Sequence, residues 1–327
     1  MLITFTDNGL YCAQGDFYID PWRPVSHAVI THAHSDHARS GHGHYLCQQE
    51  SVPLLRTRLG EHHFQGLPWG ERVSHRGVTI SFHPSGHIIG AAQVRVEYQG
   101  EVWVVSGDYK TENDGISGAF EPVRCQHFIT ESTFGLPVYQ WKPQEQIYAD
   151  IRRWIDAEHA DGNSVVLQAY SLGKSQRLIH ALRDYAGKVF VHGAVWPIQQ
   201  ALRTAGYDFI EVERIDPSAP PGTYKRSIVI SPSAVEGTYI AKAIRPYVSA
   251  SCSGWMQVRG NRRRNQADTG FVLSDHADWP GLISAIKATG AEHVYATHGY
   301  QSVLSRYLCE LGINAREVKT EFGEEEN

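Results

Sequence analysis

Cysteine is scarce in this chain. The five cysteines, Cys12, Cys47, Cys125, Cys252 and Cys309, are dispersed, odd in number and free of any Cys-x-x-Cys spacing. This excludes a disulfide framework and a closed thiolate zinc site, and it points to a reducing compartment. No apolar run approaches the length needed to span a bilayer. Asp7 stands early, with no basic stretch leading into an apolar one, so no secretory signal is expected. The expected location is cytoplasmic, with no membrane partner. Positive charge is not in excess either. A formal net charge of -5 excludes a general polyanion binder. Any nucleic-acid contact must come from a local basic patch, from helix N-termini or from bound metal. Internal repeats and low-complexity tracts are lacking as well.

What is present is an ordinary globular composition, with 42% hydrophobic and 20% charged residues among 327. That length supports one large domain or two moderate ones. Histidine is abundant, at 18. The stretch Thr31-His32-Ala33-His34-Ser35-Asp36-His37 organises the rest, because it gathers three imidazoles and a carboxylate directly after the β-branched run Ala28-Val29-Ile30. Such donors on a loop held by a strand suit zinc, manganese or iron. Alternation along an extended loop lets His32 and His34 face one ion while Asp36 and His37 face a second. A histidine-rich surface loop is the plain alternative. Ligand-type residues recurring downstream weigh against it.

They recur at strand ends. Short strands over Leu2–Phe5, Leu10–Cys12 and Phe17–Ile19 carry a hairpin signal at Asn8-Gly9 and stop at Asp20-Pro21. Asp20 there either caps the turn or supports an imidazole of the loop. The strand Val78–Phe82 leads into His83-Pro84-Ser85-Gly86-His87, Val102–Val105 into Ser106-Gly107-Asp108, and Phe128–Thr130 into Glu131-Ser132-Thr133-Phe134-Gly135. One sheet edge presenting donors from several loops accounts for the pattern. Val52 onward reads as a short helix.

From Pro143 the pattern changes to helix, strand, helix, strand. Ile147, Ile151, Trp154 and Ile155 form a helical stripe, and Val165–Leu167, Val189–Val191, Ile228–Ile230 and Val248–Ala250 read as strands of a parallel α/β unit. Ser171-Leu172-Gly173-Lys174-Ser175 precedes a helix carrying Leu178 and Ile179. Helix amides plus a lysine make a phosphate seat, although ordinary helix caps look the same. Ser251, Ser253 and Gly254 form a second small-residue turn. Arg259, Arg262, Arg263 and Arg264 are the one dense basic run, a nucleic-acid contact or a solvated loop. The earlier style returns at Ser274-Asp275-His276-Ala277-Asp278 and Thr297-His298-Gly299, each after a short strand, with Asp275 and Asp278 expected to cap the following helix.

The order His-x-His-x-Asp-His, Gly-His, Gly-Asp resembles the metallo-β-lactamase superfamily. The later motifs at Glu131, Ser274–Asp278 and Thr297–Gly299, with Gly173-Lys174-Ser175-Gln176, resemble its β-CASP nuclease branch. The Cys252-to-Trp255 segment and the Asn261-to-Arg264 run look most like the bacterial DNA-ligase-associated exonuclease subgroup. The resemblance implies an αββα sandwich over 1–142 and 268–327, with a β-CASP α/β cap inserted at 143–267. It implies two divalent ions, zinc or manganese. His32, His34 and His87 hold the first, Asp36, His37 and His298 the second, and Asp108 bridges them, with Asp20 supporting a ligand imidazole. Such a pair activates water and neutralises phosphate oxygens. His276 becomes the general acid, oriented by Glu131. The implied activity is DNA exonuclease action on single strands or ends in repair, in association with a DNA ligase and helicase. DNA-acting members of the branch often lack the last histidine. His298 therefore keeps an RNA-processing nuclease as the alternative. A non-catalytic nucleic-acid scaffold ranks below both, since no ligand is missing.

Overall fold

The structure is a computed structural model that describes residues 1–258 and 267–318. Contacts within the chain define two compact units, residues 1–140 with 276–327, and residues 141–275. The family resemblance implies an insertion at 143–267.

The first unit is built on two sheets. One runs β1 (Ile3–Thr6), β2 (Gly9–Cys12), β3 (Phe17–Ile19), β4 (His27–Ile30), β5 (His44–Gln48) and β6 (Phe64–Leu67), in that order. The β1–β2 turn sits one residue earlier than the Asn8-Gly9 signal suggests. Thr6 pairs with Gly9, so Asp7-Asn8 is the two-residue loop. Gly9 instead lies against Pro21, where a Cβ would come within 3.2 Å of the Pro21 Cα. A helix, α1 (Val52–Leu59), follows β5 and carries Pro53 in its first turn, where the missing N–H costs nothing.

The second sheet contains β7 (Arg72–His75), β8 (Val78–Pro84), β9 (Ala92–Tyr98), β10 (Glu101–Val105) and β11 (His127–Glu131). It takes in β18 (His293–Thr297) and β19 (Asn314–Glu317) from the C-terminal segment. β7 to β10 are antiparallel neighbours, whereas β10, β11, β18 and β19 run parallel. The alternating apolar residues of the two sheets meet in one core. Ile3, Phe17 and Val29 from the first pack with Ile80, Phe82, Val94 and Trp103 from the second. Truncating a buried aromatic such as Phe82 costs about 3–5 kcal/mol. The other face of the second sheet, through Val104, Phe128 and Val294, packs on two helices. These are Trp279–Thr289 and Gln301–Glu310. The unit is thus an α/β sandwich.

In the second unit, α2 (Gln144–Ala160) buries Ile147, Ile151 and Ile155 of the stripe read from the sequence, while Trp154 is only half-buried. All pairings in its sheet are parallel, in the order β14 (Glu213–Arg214), β13 (Val189–Val191), β15 (Ile228–Ser231), β12 (Ser164–Gln168), β16 (Tyr247–Cys252) and β17 (Thr269–Phe271). Val165, Val166 and Leu167 are buried without a break, as a central strand covered on both faces requires. The helix after β12 is α3 (Lys174–Ala181), followed by α4 (Trp196–Thr204) and α5 (Tyr239–Ile244). The two helices of the C-terminal segment are α6 (Trp279–Thr289) and α7 (Gln301–Glu310). Among the described residues no helix is long and apolar enough to cross a membrane.

Candidate metal centre

β8, β10, β11 and β18 run in one direction, so the residues just past their ends share an edge of the sheet. His87 follows β8, Asp108 follows β10, Glu131 closes β11 and His298 follows β18. The His32–His37 loop leaves β4 toward the same place and is tied to the second sheet by Ala92 N–H on the Thr31 carbonyl, 2.9 Å. Gly107 lets β10 come this close. A Cβ there would lie 2.7 Å from the Thr31 Cβ, and its φ is +55°.

The donors converge as two groups, His32, His34, His87 and Asp108, and then Asp36, His37 and Asp108. His34 Nδ1 lies 3.1 Å from His32 Nε2 and 3.0 Å from His87 Nε2. Asp108 Oδ2 is 3.4 Å from His32 Nε2 and 3.6 Å from both His87 Nε2 and His37 Nε2. Four donors at about 2.0–2.1 Å from a tetrahedral zinc stand roughly 3.3–3.4 Å apart, so these separations fit an ion. Asp36 Oδ2 lies 3.6 Å from His37 Nε2. The His298 ring stacks on His37 with centroids 5.4 Å apart. A cavity of about 40 Å³, lined by Asp36, His37, Gly107 and His298 among others, lies beside this second group. It accommodates an ion or a water and is too small for a nucleotide.

The electrostatics suit cations. Burial pulls the His37 pKa down, but Asp108, Asp36 and Asp20 outweigh burial and push it up to about 10. Burial would raise Asp108, but His37, His276 and His32 hold it well below the usual carboxylate range. Burial, then the neighbouring imidazoles, keep His87 well below its ordinary value, and burial and His37 lower His298. The carboxylates that hold a proton on His37 attract positive charge, and a divalent ion would displace that proton, beside the neutral His87 and His298 and the ionised Asp108.

Asp20 bonds an imidazole of the loop. Its Oδ2 lies 2.7 Å from His37 Nδ1, which turns Nε2 toward the carboxylates. The same carboxylate accepts from Thr31 N–H at 2.8 Å and from the Thr31 hydroxyl at 2.5 Å. Thr31 Oγ1 is also 3.1 Å from His32 Nδ1. Thr31 therefore links the supports of His32 and His37, a role the sequence reading missed. Its only sequence signal is a small β-branched hydroxyl preceding the cluster. Arg58, which donates to the Ala33 carbonyl, gave no signal at all.

His276 and Glu131 meet beside these groups. His276 Nδ1 is 2.9 Å from Glu131 Oε2, and Glu131 Oε1 accepts from Tyr109 N–H at 2.7 Å. The His276 ring lies 4.7 Å from that of His87. Asp278 caps α6 by accepting from Gly281 N–H at 2.9 Å.

Asp275 does not cap that helix. It stands too far before it and pairs with Lys174, whose Nζ lies 2.6 Å from its Oδ1. At Ser171, Gly173, Lys174 and Ser175, where a phosphate seat was expected, the polar groups also bond within the chain. Gly173 N–H bonds to Gln176 Oε1, and the buried Ser175 hydroxyl bonds to the Tyr170 carbonyl at 2.8 Å. These groups satisfy the chain's own turn. Ser253 Oγ accepts from Trp255 N–H, and Ser251 and Gly254 are buried beside it in sequence. Arg259 and Arg262 lie outside the described residues. A larger cavity, about 300 Å³ and lined by Phe17, His27, His44, Phe64 and His75 among others, lies elsewhere in the sandwich. Among the described residues its imidazoles form no converging group of three.

Known proteins carry related sequences, and their similarity supports the β-CASP branch of the metallo-β-lactamase superfamily. The chain is 30% identical over 314 residues to a "Probable DNA ligase" of Opitutus terrae, covering 94% of this chain and 30% of that protein. It is 28% identical over 137 residues to "Endoribonuclease ysh-1" of Neurospora crassa, 39% of this chain and 16% of that one. It is 31% identical over 125 residues to "Cleavage and polyadenylation specificity factor subunit 3-I" of Arabidopsis thaliana, 36% of this chain and 17% of that one. The chain thus spans less than a third of each of these relatives. No protein-family model matches it. A crystal structure of a protein of unknown function from Enterococcus faecalis V583 superposes with a TM-score of 0.62 at 11% identity, over 91% of this chain and 80% of that one. At that identity the likeness carries the fold alone.

Proposed function

We propose that the protein is a two-metal phosphodiesterase acting on DNA, an exonuclease of DNA repair with a metallo-β-lactamase core and a β-CASP cap. The observation that carries this reading is the convergence of two donor groups on Asp108 Oδ2 beside the His276–Glu131 pair. His32, His34 and His87 would hold one ion, Asp36, His37 and His298 the other, with Asp108 common to both. When bound, the ions, zinc or manganese, supply Lewis acidity, charge neutralisation at phosphate and a nucleophile at neutral pH.

The remaining steps belong to side chains. Glu131, itself held by Tyr109 N–H, accepts from His276 Nδ1 and fixes the ring. His276 Nε2 then delivers a proton to the leaving oxygen, and Glu131 steadies the imidazolium before transfer. Asp20 and Thr31 hold His37 and His32 against rotation. Ser251, Ser253, Gly254, Arg259 and Arg262 are the remaining candidates for backbone contact with the strand.

The similarity to a probable DNA ligase along most of the chain favours DNA as substrate and a ligase, with a helicase, as functional partners in the cytoplasm. An RNA-processing activity is the second reading, favoured by His298 and by the shorter similarity to endoribonucleases. Digestion of matched, end-labelled DNA and RNA strands, each blocked at one end, with manganese or zinc tests both. DNA cleaved from one end supports the first reading. Cleavage of RNA alone supports the second, and a folded protein that cleaves neither overturns both.

A further inference from the structure

We infer that Lys174 and Asp275 form a positioning pair that fixes the chain immediately before the general acid His276. The inference rests on the phosphodiesterase reading and deepens it, because it gives the Gly-Lys-Ser turn a task other than phosphate binding. Asp275 has no solvent exposure, and Lys174, in the first turn of α3, places its ammonium 2.6 Å from it. Three residues on, along the same face of α3, Arg177 is 1% exposed and donates to the Ser274 carbonyl at 3.1 Å. One helix therefore grips two consecutive residues, and one peptide bond separates the second from His276.

A buried carboxylate stays ionised only with a partner cation, so the Lys174 charge is committed to Asp275. That leaves Lys174 unsuited to binding an incoming phosphate. Proton delivery tolerates little misplacement of the donor. Glu131 constrains the His276 ring at Nδ1. The α3 grip constrains the backbone that enters it. Lys174 thus acts through His276, with no contact to the reacting atoms required.

The test uses the full chain loaded with manganese and two substrates. One is end-labelled single-stranded DNA, whose leaving alkoxide needs a proton. The other is thymidine 5′-p-nitrophenyl phosphate, whose leaving phenolate does not. On DNA, Lys174→Met lowers kcat about 10- to 100-fold with KM within about twofold, and Lys174→Arg recovers most of the loss. On the nitrophenyl ester, Lys174→Met stays within about threefold of the wild type. Asp275→Asn, which keeps the side-chain shape, shows the same split and serves if Lys174→Met does not fold. A raised KM with unchanged kcat makes Lys174 a phosphate ligand and overturns the inference. Equal losses on both substrates at full metal content reduce the pair to a structural one and also overturn it. An active wild type matched by Lys174→Met and Asp275→Asn sinks the pair alone. A wild type inactive on both substrates sinks the phosphodiesterase reading, and the inference with it.

Discussion

His276 and Glu131 lie 145 residues apart in sequence and 2.9 Å apart in space, Nδ1 to Oε2. The carboxylate is 1% exposed. An imidazole held this way has its ring orientation fixed by the fold itself.

His276→Ala should lower kcat about 10²- to 10⁴-fold, the usual worth of a positioned acid. Glu131→Gln keeps an acceptor for Tyr109 N–H but loses the charge that steadies the imidazolium, so it should fall between that variant and the wild type. Single-turnover cleavage, read beside melting temperature and metal content, checks both. Wild-type rates in His276→Ala would remove it from the chemistry.

Asp20 holds His37 through Nδ1 and, by way of Thr31, braces His32. Asp20→Ala should therefore weaken metal binding about 10- to 100-fold. Competition for zinc against a chromophoric chelator measures it. Unchanged affinity would mean that the loop keeps its shape without this carboxylate.

Gly107→Ala puts a Cβ 2.7 Å from that of Thr31 at a φ of +55°. We expect a loss of about 1–3 kcal/mol in denaturant unfolding. Gly70→Ala meets the φ penalty alone, because nothing lies within 4 Å of its Cβ at a φ of +69°. The difference between the two variants isolates the steric part. Equal losses would show that β10 does not need its close approach to Thr31.

His42 is buried at 4% exposure, and burial, helped by His62, lowers its pKa to about 4. Unfolded, it takes a proton near pH 6.5. Its neutral form thus contributes stability that is whole above about 6.5 and is lost as pH falls toward 4, up to about 3 kcal/mol. His42→Asn keeps an acceptor for Val25 N–H, which bonds His42 Nδ1 at 3.3 Å. It should flatten the stability profile between pH 6.5 and 4. An unaltered slope would assign the acid loss to other groups.

Much of this arrangement was legible because chemistry and strand ends coincide. β-branched runs that stop at His, Asp or Glu announce both a strand and its cargo, which is why His87, Asp108 and Glu131 could be marked. The parallel strands Val165–Leu167 and Ile228–Ile230 were equally plain, since burial on both faces removes polar alternation. Other features had no such imprint. β5 begins at an exposed His44, and β19 reads Asn-Ala-Arg-Glu, with no apolar periodicity to announce a strand. Lys174 illustrates the limit best. A lysine at a helix start looks the same whether it faces a phosphate or a carboxylate from 101 residues away. Only tertiary structure separates the two.

The central claim is tested most directly by soaking crystals of the protein in manganese and recording anomalous scattering. The account predicts two peaks flanking Asp108 Oδ2, roughly 3.5–4 Å apart, one against His32, His34 and His87 and the other against Asp36, His37 and His298. A single peak, or peaks away from Asp108, would contradict it.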